Sequence, residues 1–527
     1  MRGMTRDRYI DFLRALAICL VVLGHWLITG LVRQPDGSIT APELLATVHW
    51  AQWLTLGFQI MPLFFLAGGH AAGGSWARWS ASGGEAAAWV RGRALRLLLP
   101  TAAYAGLVLL AVAVCAGAGV DPGTLALVGW ALGMQFWFLP VYLLLSALTP
   151  ALHAAHRRWG LLVPAAMGAV AVVADVLTVA AHTPYVGLVD YVLVWGVPYQ
   201  LGFCWRDGLL TPRRLQLAMA VVGAGAFAAL VGFGPFPVSL ILVSDETVSN
   251  TNPPSAAMLA WAVAQTGLCL LLAPAARRLL ARDRVWRAVR PVGGASMTLY
   301  LWHMVPVLVA AAALYLTGLA PEPAYGSEPW WLLRVPWLVL LTVVLIGLVL
   351  LLRPLERGLT QACLSTRPDG PVRWPVVGGL GLVACVVALA RWAVTGFAYQ
   401  GRFQPLPALL FALGAALVAL SAGRLQALEP GVQLRAGRAV GGVADHGAVL
   451  LTDRHPASAV RVQLLVPDAV ELGERQPAGT GSGLSAGLDN SSAASLRPQE
   501  QPGQQPAEAR DQQERQRDQA DGQQRDQ

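Results

Sequence analysis

The stretch RYIDFLRALAICLVVLGHWLITGL, residues 8–31, decides the fold class, because it is long and apolar enough to cross a bilayer as one helix. It also carries Asp11, Arg14 and His25. Ionisable side chains are costly inside a membrane helix, so each of them is a functional candidate. No small-residue cleavage site follows the apolar run. We therefore interpret it as a first transmembrane helix rather than a cleaved signal peptide.

The composition of the whole chain agrees with this interpretation. Of 527 residues, 55% are hydrophobic and only 13% are charged, whereas soluble domains usually carry about 25% charged residues. This is too little charge to cover several soluble domains with a water-facing surface. We predict an integral membrane protein whose main partner is the lipid bilayer. The net charge of +8 reflects membrane topology, and we expect no nucleic-acid partner.

Similar apolar runs recur along the chain and predict an all-α, polytopic helical bundle. Their approximate positions are 10–31, 50–72, 97–119, 126–152, 160–182, 187–205, 215–234, 256–274, 293–318, 331–353, 376–398 and 406–422. The first ten form a predicted ten-span membrane domain, residues 1–360. Two additional spans are expected in residues 361–425. Residues 426–527 are polar, low-complexity sequence and are predicted to be disordered.

The distribution of arginine supports this number of spans. If the N-terminus is cytoplasmic, the arginine-rich loops, such as those with Arg157 and Arg158 or Arg213 and Arg214, all fall on the cytoplasmic side. Such an excess of positive charge is typical of cytoplasmic loops. The sequence therefore predicts a multi-pass plasma-membrane protein with a cytoplasmic N-terminus. All 38 basic residues are arginine, which indicates a very GC-rich genome, and we expect a bacterial protein.

Arg14 and His25 are eleven residues apart in the first predicted span. Eleven helical steps of about 100° bring both side chains to within about 20° of one face, about 16 Å apart along the axis. Asp11 is close to the same face and could pair with Arg14. A polar face on a membrane helix favours a polar cavity within the bundle. The alternative is that His25 only packs and hydrogen-bonds to a neighbouring helix.

A second polar cluster lies in RGRALRLLLP, residues 91–100. Arg93 and Arg96 are about one helical turn apart, and guanidinium groups bind phosphate in a bidentate manner. Together they could hold a phosphorylated substrate beside a cavity. The alternative is an ordinary cluster of cytoplasmic positive charge.

Metal binding is not expected. The six cysteines lie mostly in or beside apolar runs without C-x-x-C spacing. His153 and His156 have a spacing that could suit a metal, but the adjoining Arg157 and Arg158 would repel a cation.

With these motifs in order, the chain resembles the acyltransferase 3 family of membrane-embedded O-acyltransferases. The family pattern of an arginine, ten residues and a histidine is matched by Arg14 and His25, and its R-x-x-R motif by Arg93 and Arg96. Further similar segments are MPLFFLAGGH at 61–70, FWFLPVYLLLSALTP at 136–150, SMTLYLWHMVPV at 296–307 and RPLERGL at 353–359. LAGGH and SNTNPPS are most similar to actinobacterial members. The resemblance covers about residues 1–360.

This resemblance implies an acyltransferase that moves groups other than amino-acyl groups. The donor would be acyl-CoA, with acetyl-CoA expected, as a co-substrate and with no bound cofactor. The acceptor would be a hydroxyl of a carbohydrate or glycolipid. His25 would act as general base, since a base with a pKa near 7 is needed for an alcohol to attack a thioester.

The remaining site candidates have less specific roles. Arg14, Arg93 and Arg96 would bind the donor's phosphates or polarise its carbonyl. Asp11, His303 and Glu356 are further candidates for the cavity wall. The alternative function is a transporter or flippase for a sugar or a lipid-linked substrate, because buried arginine and histidine also suit substrate pathways.

Overall fold

Helices make up most of the structure, a computed structural model that describes residues 7–34, 39–244, 246–364 and 372–422. All of these residues belong to one unit, Met1–Leu434. The predicted disordered tail, residues 426–527, lies outside the described residues.

Seventeen α-helices follow one another along the described chain. They are α1 Arg8–Ile28, α2 Leu44–Thr47, α3 Thr55–Phe58, α4 Met61–Ala81, α5 Ala86–Gly117, α6 Pro122–Gly133, α7 Phe138–Trp159, α8 Leu162–Val179, α9 Asp190–Arg206, α10 Arg213–Phe233, α11 Ala256–Leu280, α12 Asp283–Gly294, α13 Ser296–Trp302, α14 Val305–Ala310, α15 Glu328–Leu364, α16 Pro375–Thr395 and α17 Pro405–Leu420. One short antiparallel pair, β1 Val32–Arg33 and β2 Ile39–Thr40, follows α1.

The predicted all-α polytopic membrane bundle is confirmed. Within the described residues, ten helical segments are long and apolar enough to cross a membrane. The pair α13 and α14 forms an eleventh span if it is counted together with the π-helical turn that follows it, Ala311–Tyr315, despite a bend of 41°. Helix α17 is apolar but shorter. Each of the twelve predicted spans therefore coincides with a helix or a broken helix.

The ten long spans are not the same ten that we predicted as the core. The ninth predicted span is the broken pair, and α16, which we assigned to the additional helices, is among the ten long ones. The difference arises because hydropathy responds to an apolar run, whether or not the backbone stays straight within it.

Helix starts follow from local capping chemistry. The Asp7 carboxylate accepts a hydrogen bond from the Tyr9 backbone N–H at 2.9 Å at the start of α1. Asp121 caps α6 and Ser255 caps α11 in the same way. Short polar side chains at these positions satisfy backbone donors that have no partner within the helix.

Glycines allow α4 and α9 to pack closely. A Cβ atom on Gly69 would lie 1.8 Å from the Tyr199 carbonyl oxygen, and one on Gly202 would lie 2.3 Å from the Leu66 carbonyl oxygen. Small residues in membrane helices let two backbones approach in this way. This contact explains Gly69 of MPLFFLAGGH as a packing residue, whereas its neighbour Gly68 faces the Tyr142 side chain of α7.

The last two helices, α16 and α17, pack on one another and on the preceding bundle. The Phe397 N–H donates to the Gly129 carbonyl at 3.0 Å. A Cβ atom on Gly133 would lie 2.7 Å from the Trp392 carbonyl oxygen, which shows how closely α6 approaches α16. At the end of α17, the Arg91 guanidinium donates to the Ala419 carbonyl at 2.7 Å.

Candidate functional site

A cavity of about 1380 Å³ runs through the bundle beside α1. Its wall includes Arg14 and His25 from α1, Arg93 and Arg96 from α5, and His303 from the break between α13 and α14. Arg14, Arg93 and Arg96 lie at one end, which we call the arginine end. Five of the predicted site residues therefore line one connected space.

The opposite end of the cavity, which we call the loop end, is formed by Thr29, Gly30, Pro42, Glu43, Ser244 and Asn252. The Glu43 carboxylate accepts a hydrogen bond from the Ser244 N–H at 3.1 Å, which links two separate loops there. Burial raises the pKa of Tyr325 to about 12, so its hydroxyl stays protonated and donates to the Pro42 carbonyl at 2.8 Å. The loop end is thus a fixed, polar rim.

His25 and His303 form a hydrogen-bonded pair, which we call the histidine pair. His25 Nδ1 lies 2.8 Å from His303 Nε2, and the two rings are nearly parallel, with an interplanar angle of 14°. His303 is fully buried, whereas His25 is half-buried on the cavity wall. The two residues are 278 positions apart in the chain, so sequence reasoning could not have paired them.

The hydrogen bonds of the histidine pair assign the neutral tautomers. His303 Nδ1 lies 2.9 Å from the Tyr300 carbonyl oxygen, which can only accept, so Nδ1 carries the proton. The neutral His303 then presents Nε2 as an acceptor, and His25 must donate to it from Nδ1. This leaves the lone pair of His25 on Nε2. The arrangement can therefore accept a proton at His25 Nε2, with His303 as the group that orients the base.

The break in the ninth span explains why His303 takes this position. Pro306 lacks a backbone N–H, and its ring clashes with the carbonyl of the preceding turn, so the helix ends at Trp302 and begins again at Val305. The carbonyl of His303 is left without a helical partner. Trp26 satisfies it, because its Nε1–H donates to this oxygen at 2.6 Å. Adjacent residues of α1 therefore bind both the side chain and the backbone of His303.

A buried polar network, which our sequence analysis did not identify, holds α13 in place. The Tyr300 hydroxyl donates to the Gln135 carbonyl at 2.8 Å, and the Gln135 amide donates to the Leu301 carbonyl at 2.9 Å. The same amide donates to the Tyr104 hydroxyl at 3.2 Å. Both Gln135 and Tyr300 line the cavity. In the sequence, Tyr300 lies within the family-like segment 296–307 and Gln135 directly precedes the segment 136–150. Nothing else in the sequence pointed to these two residues.

The arginine end is held more loosely. The Arg93 guanidinium lies 5.0 Å from the centre of the Trp89 ring and 3.5 Å from the Tyr142 hydroxyl, which is the outer limit of a hydrogen bond. Arg96 is exposed, and Arg14 is half-buried. Three positive charges at one end of the cavity favour an anionic ligand there.

Of the three further candidates for the cavity wall, only His303 is found among the described lining residues. Asp11 is buried but is not among the lining residues, contrary to our expectation. Three residues advance a helix by about 300°. The side chain of Asp11 therefore lies about 60° from that of Arg14 around α1. The side chain of Glu356 lies outside the described part of the structure, so its predicted role remains a prediction.

In α7, His156 is held by a nearby carboxylate. His156 Nε2 lies 3.1 Å from an Asp207 carboxylate oxygen. Among the residues that the structure describes, no group of three or more His, Cys, Asp or Glu could hold a metal ion.

Helix α16, Pro375–Thr395, contributes to the cavity wall. It lies outside residues 1–360, the part of the chain that resembles the acyltransferase 3 family. Ala393 and Val394 line the wall near Trp130 and Ala131 of α6. Sequence reasoning could not assign this role, because an apolar run gives no information about which helix it packs against.

Comparison with known proteins places most of the bundle in one family. A family model described as an acyltransferase domain matches residues 7–354, about two thirds of the chain. This segment contains Arg14, His25, Arg93, Arg96 and His303. Searches of curated proteins and of solved structures gave no match.

Proposed function

Because the chain belongs to the acyltransferase 3 family, we propose that this membrane acyltransferase moves an acyl group from acyl-CoA to a hydroxyl of a carbohydrate or glycolipid acceptor. Acetyl-CoA is the proposed donor. The proposed location is the plasma membrane, with the N-terminus and the arginine end facing the cytoplasm. The observation that carries the proposal is that the histidine pair and three arginines line the same cavity.

The histidine pair supports general-base chemistry. His25 Nε2 removes the proton from the acceptor hydroxyl as its oxygen attacks the thioester carbonyl carbon. The C–O bond forms, the C–S bond breaks, and the proton passes from His25 to the departing thiolate. His303 is a positioning residue, since its Nε2 accepts the His25 Nδ1–H bond at 2.8 Å and so stabilises the imidazolium that forms transiently.

The arginine end supports binding of the donor. Coenzyme A is a phosphorylated anion, and guanidinium groups pair with phosphate in a bidentate manner. Arg14 and His25 are separated by about 16 Å along α1, which leaves room for an extended pantetheine arm between the phosphates and the thioester. This separation favours an anchoring role for Arg14 over direct polarisation of the thioester carbonyl.

The loop end supports entry of the acceptor from the opposite side of the membrane. It carries hydroxyl, carboxylate and amide side chains, in Thr29, Glu43, Ser244 and Asn252. Sugars are recognised by groups of this kind, because each hydroxyl both donates and accepts hydrogen bonds. An acceptor that enters here and a donor that enters at the arginine end would meet beside His25.

One observation favours the alternative of a transporter or flippase. The span formed by α13 and α14 is discontinuous and lines the cavity, and broken helices form the binding sites of many transporters. A transporter moves its substrate without changing its mass, whereas an acyltransferase adds an acyl group and releases a thiol.

The test uses the full chain, purified and reconstituted in lipid vesicles, with acetyl-CoA and a panel of sugars and glycolipids. Thiol release and product mass are followed for the wild type, for His25→Ala and for His49→Ala. His49 is an exposed histidine outside the cavity lining and serves as the matched control.

We expect acceptor-dependent thiol release that His25→Ala reduces by about 10²–10⁴-fold and His49→Ala leaves unchanged. Equal release by His25→Ala and the wild type would reject His25 as the base. Acceptor transport with no change of mass would support the alternative.

A further inference from the structure

A second cavity, of about 290 Å³, lies beside the arginine end. It is formed where α4 ends and α5 begins, and we call it the tryptophan–arginine pocket. Its wall includes Arg78 and Trp79 from α4 and Trp89, Arg93 and Arg96 from α5. The proposed acyl transfer uses Arg93 and Arg96 but gives no role to Arg78, Trp79 or Trp89.

The two cavities adjoin each other at two residues. Arg93 and Arg96 line both the large cavity and the tryptophan–arginine pocket. A long ligand can therefore have one end in the small pocket and the other in the large cavity. A volume of about 290 Å³ is near the lower end of the range for small-molecule sites, about 300–1,000 Å³. The small pocket thus suits one end of such a ligand rather than the whole.

The charge of the pocket selects for an anion. Arg78 adds a third guanidinium to Arg93 and Arg96, and no carboxylate is found among the described residues that line it. Several guanidinium groups around one small volume fit a ligand with more than one phosphate, because each arginine can offer two parallel N–H donors.

The aromatic residues of the pocket select for a planar base. Trp79 Nε1–H donates to the Glu85 carbonyl at 2.9 Å, and Trp89 Nε1–H donates to the Ser75 hydroxyl at 3.2 Å, so hydrogen bonds hold both indoles. The Trp89 ring is also in contact with the Arg93 guanidinium. Trp79 is only partly buried, so part of its ring is accessible from the pocket that it lines. Indoles beside guanidinium groups can bind both the base and the phosphates of a nucleotide.

We propose that the tryptophan–arginine pocket binds the adenosine 3′,5′-bisphosphate end of the coenzyme A donor. The adenine stacks on Trp79, and the phosphates pair with Arg78, Arg93 and Arg96. The pantetheine arm passes between Arg93 and Arg96 into the large cavity, towards His25. This assignment rests on the proposed function, since it names how the same enzyme holds its donor. The pocket shares its phosphate chemistry with a site for an anionic lipid headgroup, but the indoles favour a nucleotide.

The experiment measures binding of adenosine 3′,5′-bisphosphate to the purified full chain in neutral detergent by titration calorimetry. The variants are Arg78→Gln, Trp79→Leu and Trp79→Phe, with Arg158→Gln as the matched control. The Arg158 guanidinium lies 5.4 Å from the Trp159 ring, a similar pair outside both cavities. We expect Arg78→Gln and Trp79→Leu each to weaken binding by about tenfold or more. Trp79→Phe, which keeps an aromatic face, should retain most of the affinity, and Arg158→Gln all of it.

Further arms separate the nucleotide from other sources of phosphate. Inorganic phosphate, and micelles that contain phosphatidylglycerol, are tested as competitors at matched phosphate concentration. We expect neither to displace the bisphosphate as well as coenzyme A does. Equal displacement by phosphatidylglycerol, together with unchanged binding by Trp79→Leu, would show a lipid headgroup site and overturn the proposal. Failure of the wild type to bind the bisphosphate, or wild-type affinity in Arg78→Gln, would also overturn it.

The outcome is separable from that of the proposed function. His25→Ala should bind the bisphosphate with unchanged affinity, because His25 is outside this pocket. Binding without any acyl transfer would sustain the pocket assignment and count against the proposed function. Acyl transfer that depends on His25, without any bisphosphate binding, would support the proposed function and overturn the pocket assignment.

Discussion

The histidine pair and the arginine end belong to one cavity, but the protein holds them in different ways. His303 is bound at its ring by His25 and at its backbone by Trp26, both at 2.8 Å or less. Arg93, in contrast, has a hydrogen bond of 3.5 Å to Tyr142, and Arg96 is exposed. One region is therefore fixed before a substrate arrives, whereas the other can adjust to its ligand.

This difference matches the needs of the proposed chemistry. Proton transfer requires the base to be held close to a productive geometry, and small displacements reduce the rate strongly. Anchoring of a phosphate by a long, flexible arginine tolerates more movement. Changes to the histidine pair should therefore act mainly on kcat, and changes to the arginine end mainly on KM.

The largest effect in this comparison is expected from His303→Leu, which removes the acceptor for His25 Nδ1–H. A hydrogen bond to a charged group contributes about 1.5–3 kcal/mol, so kcat should fall by about 10–100-fold, with little change in KM. His303→Gln offers a carbonyl oxygen as a substitute acceptor and should recover part of the activity. Steady-state kinetics and the pH profile of kcat check this. A variant that raises KM alone would show that His303 contacts substrate instead of orienting His25.

A smaller effect, on the other parameter, is expected from Arg93→Lys. Lysine keeps the charge but loses the planar, bidentate geometry, so the KM for acetyl-CoA should rise by about tenfold with kcat nearly unchanged. Initial rates at varied acetyl-CoA concentration measure this. Arg157→Lys, at an exposed position in the last turn of α7, is the control. If Arg93→Lys lowered kcat and left KM unchanged, the assignment of donor binding to the arginine end and of catalysis to the histidine pair would be wrong.

Trp26→Phe should have a more moderate effect on the histidine pair. The change leaves the His303 carbonyl without its donor in a buried place, which costs about 1–3 kcal/mol of stability. We expect a lower thermal transition and a kcat reduced by less than in His303→Leu. Thermal unfolding followed by tryptophan fluorescence, together with kinetics, tests this. A stable variant with wild-type kcat would show that Trp26 does not position His303.

The smallest effect is expected from ionic strength. Charges at the partly exposed arginine end are screened as the Debye length falls from about 10 Å at 0.1 M to about 3 Å at 1 M salt. The KM for acetyl-CoA should therefore rise by about two- to threefold over this range, while kcat stays constant because the hydrogen-bonded histidine pair is neutral before the reaction. Sucrose at equal osmolality is the control. A salt-dependent kcat with a constant KM would contradict the proposed division.

Much of the fold was predictable from the sequence, because the bilayer requires long apolar helices whatever their partners are. Each predicted span coincides with a helix or a broken helix, and the face shared by Arg14 and His25 followed from helical periodicity alone. The break at Pro306 was less predictable, since the apolar run continues through it. The two long-range contacts of His303, with His25 and Trp26, could not be predicted, because they depend on how α1 packs against α13.

By itself, the sequence determined the membrane-spanning helical bundle, the family and the principal polar residues, since these depend on hydropathy, helical period and local motif. Only the tertiary structure decided that His25 pairs with His303, that the cavity wall excludes Asp11, and that α16 forms part of this wall. The physical reason is that a side chain's direction around a helix is local information, whereas its partner depends on the packing of helices far apart in the chain.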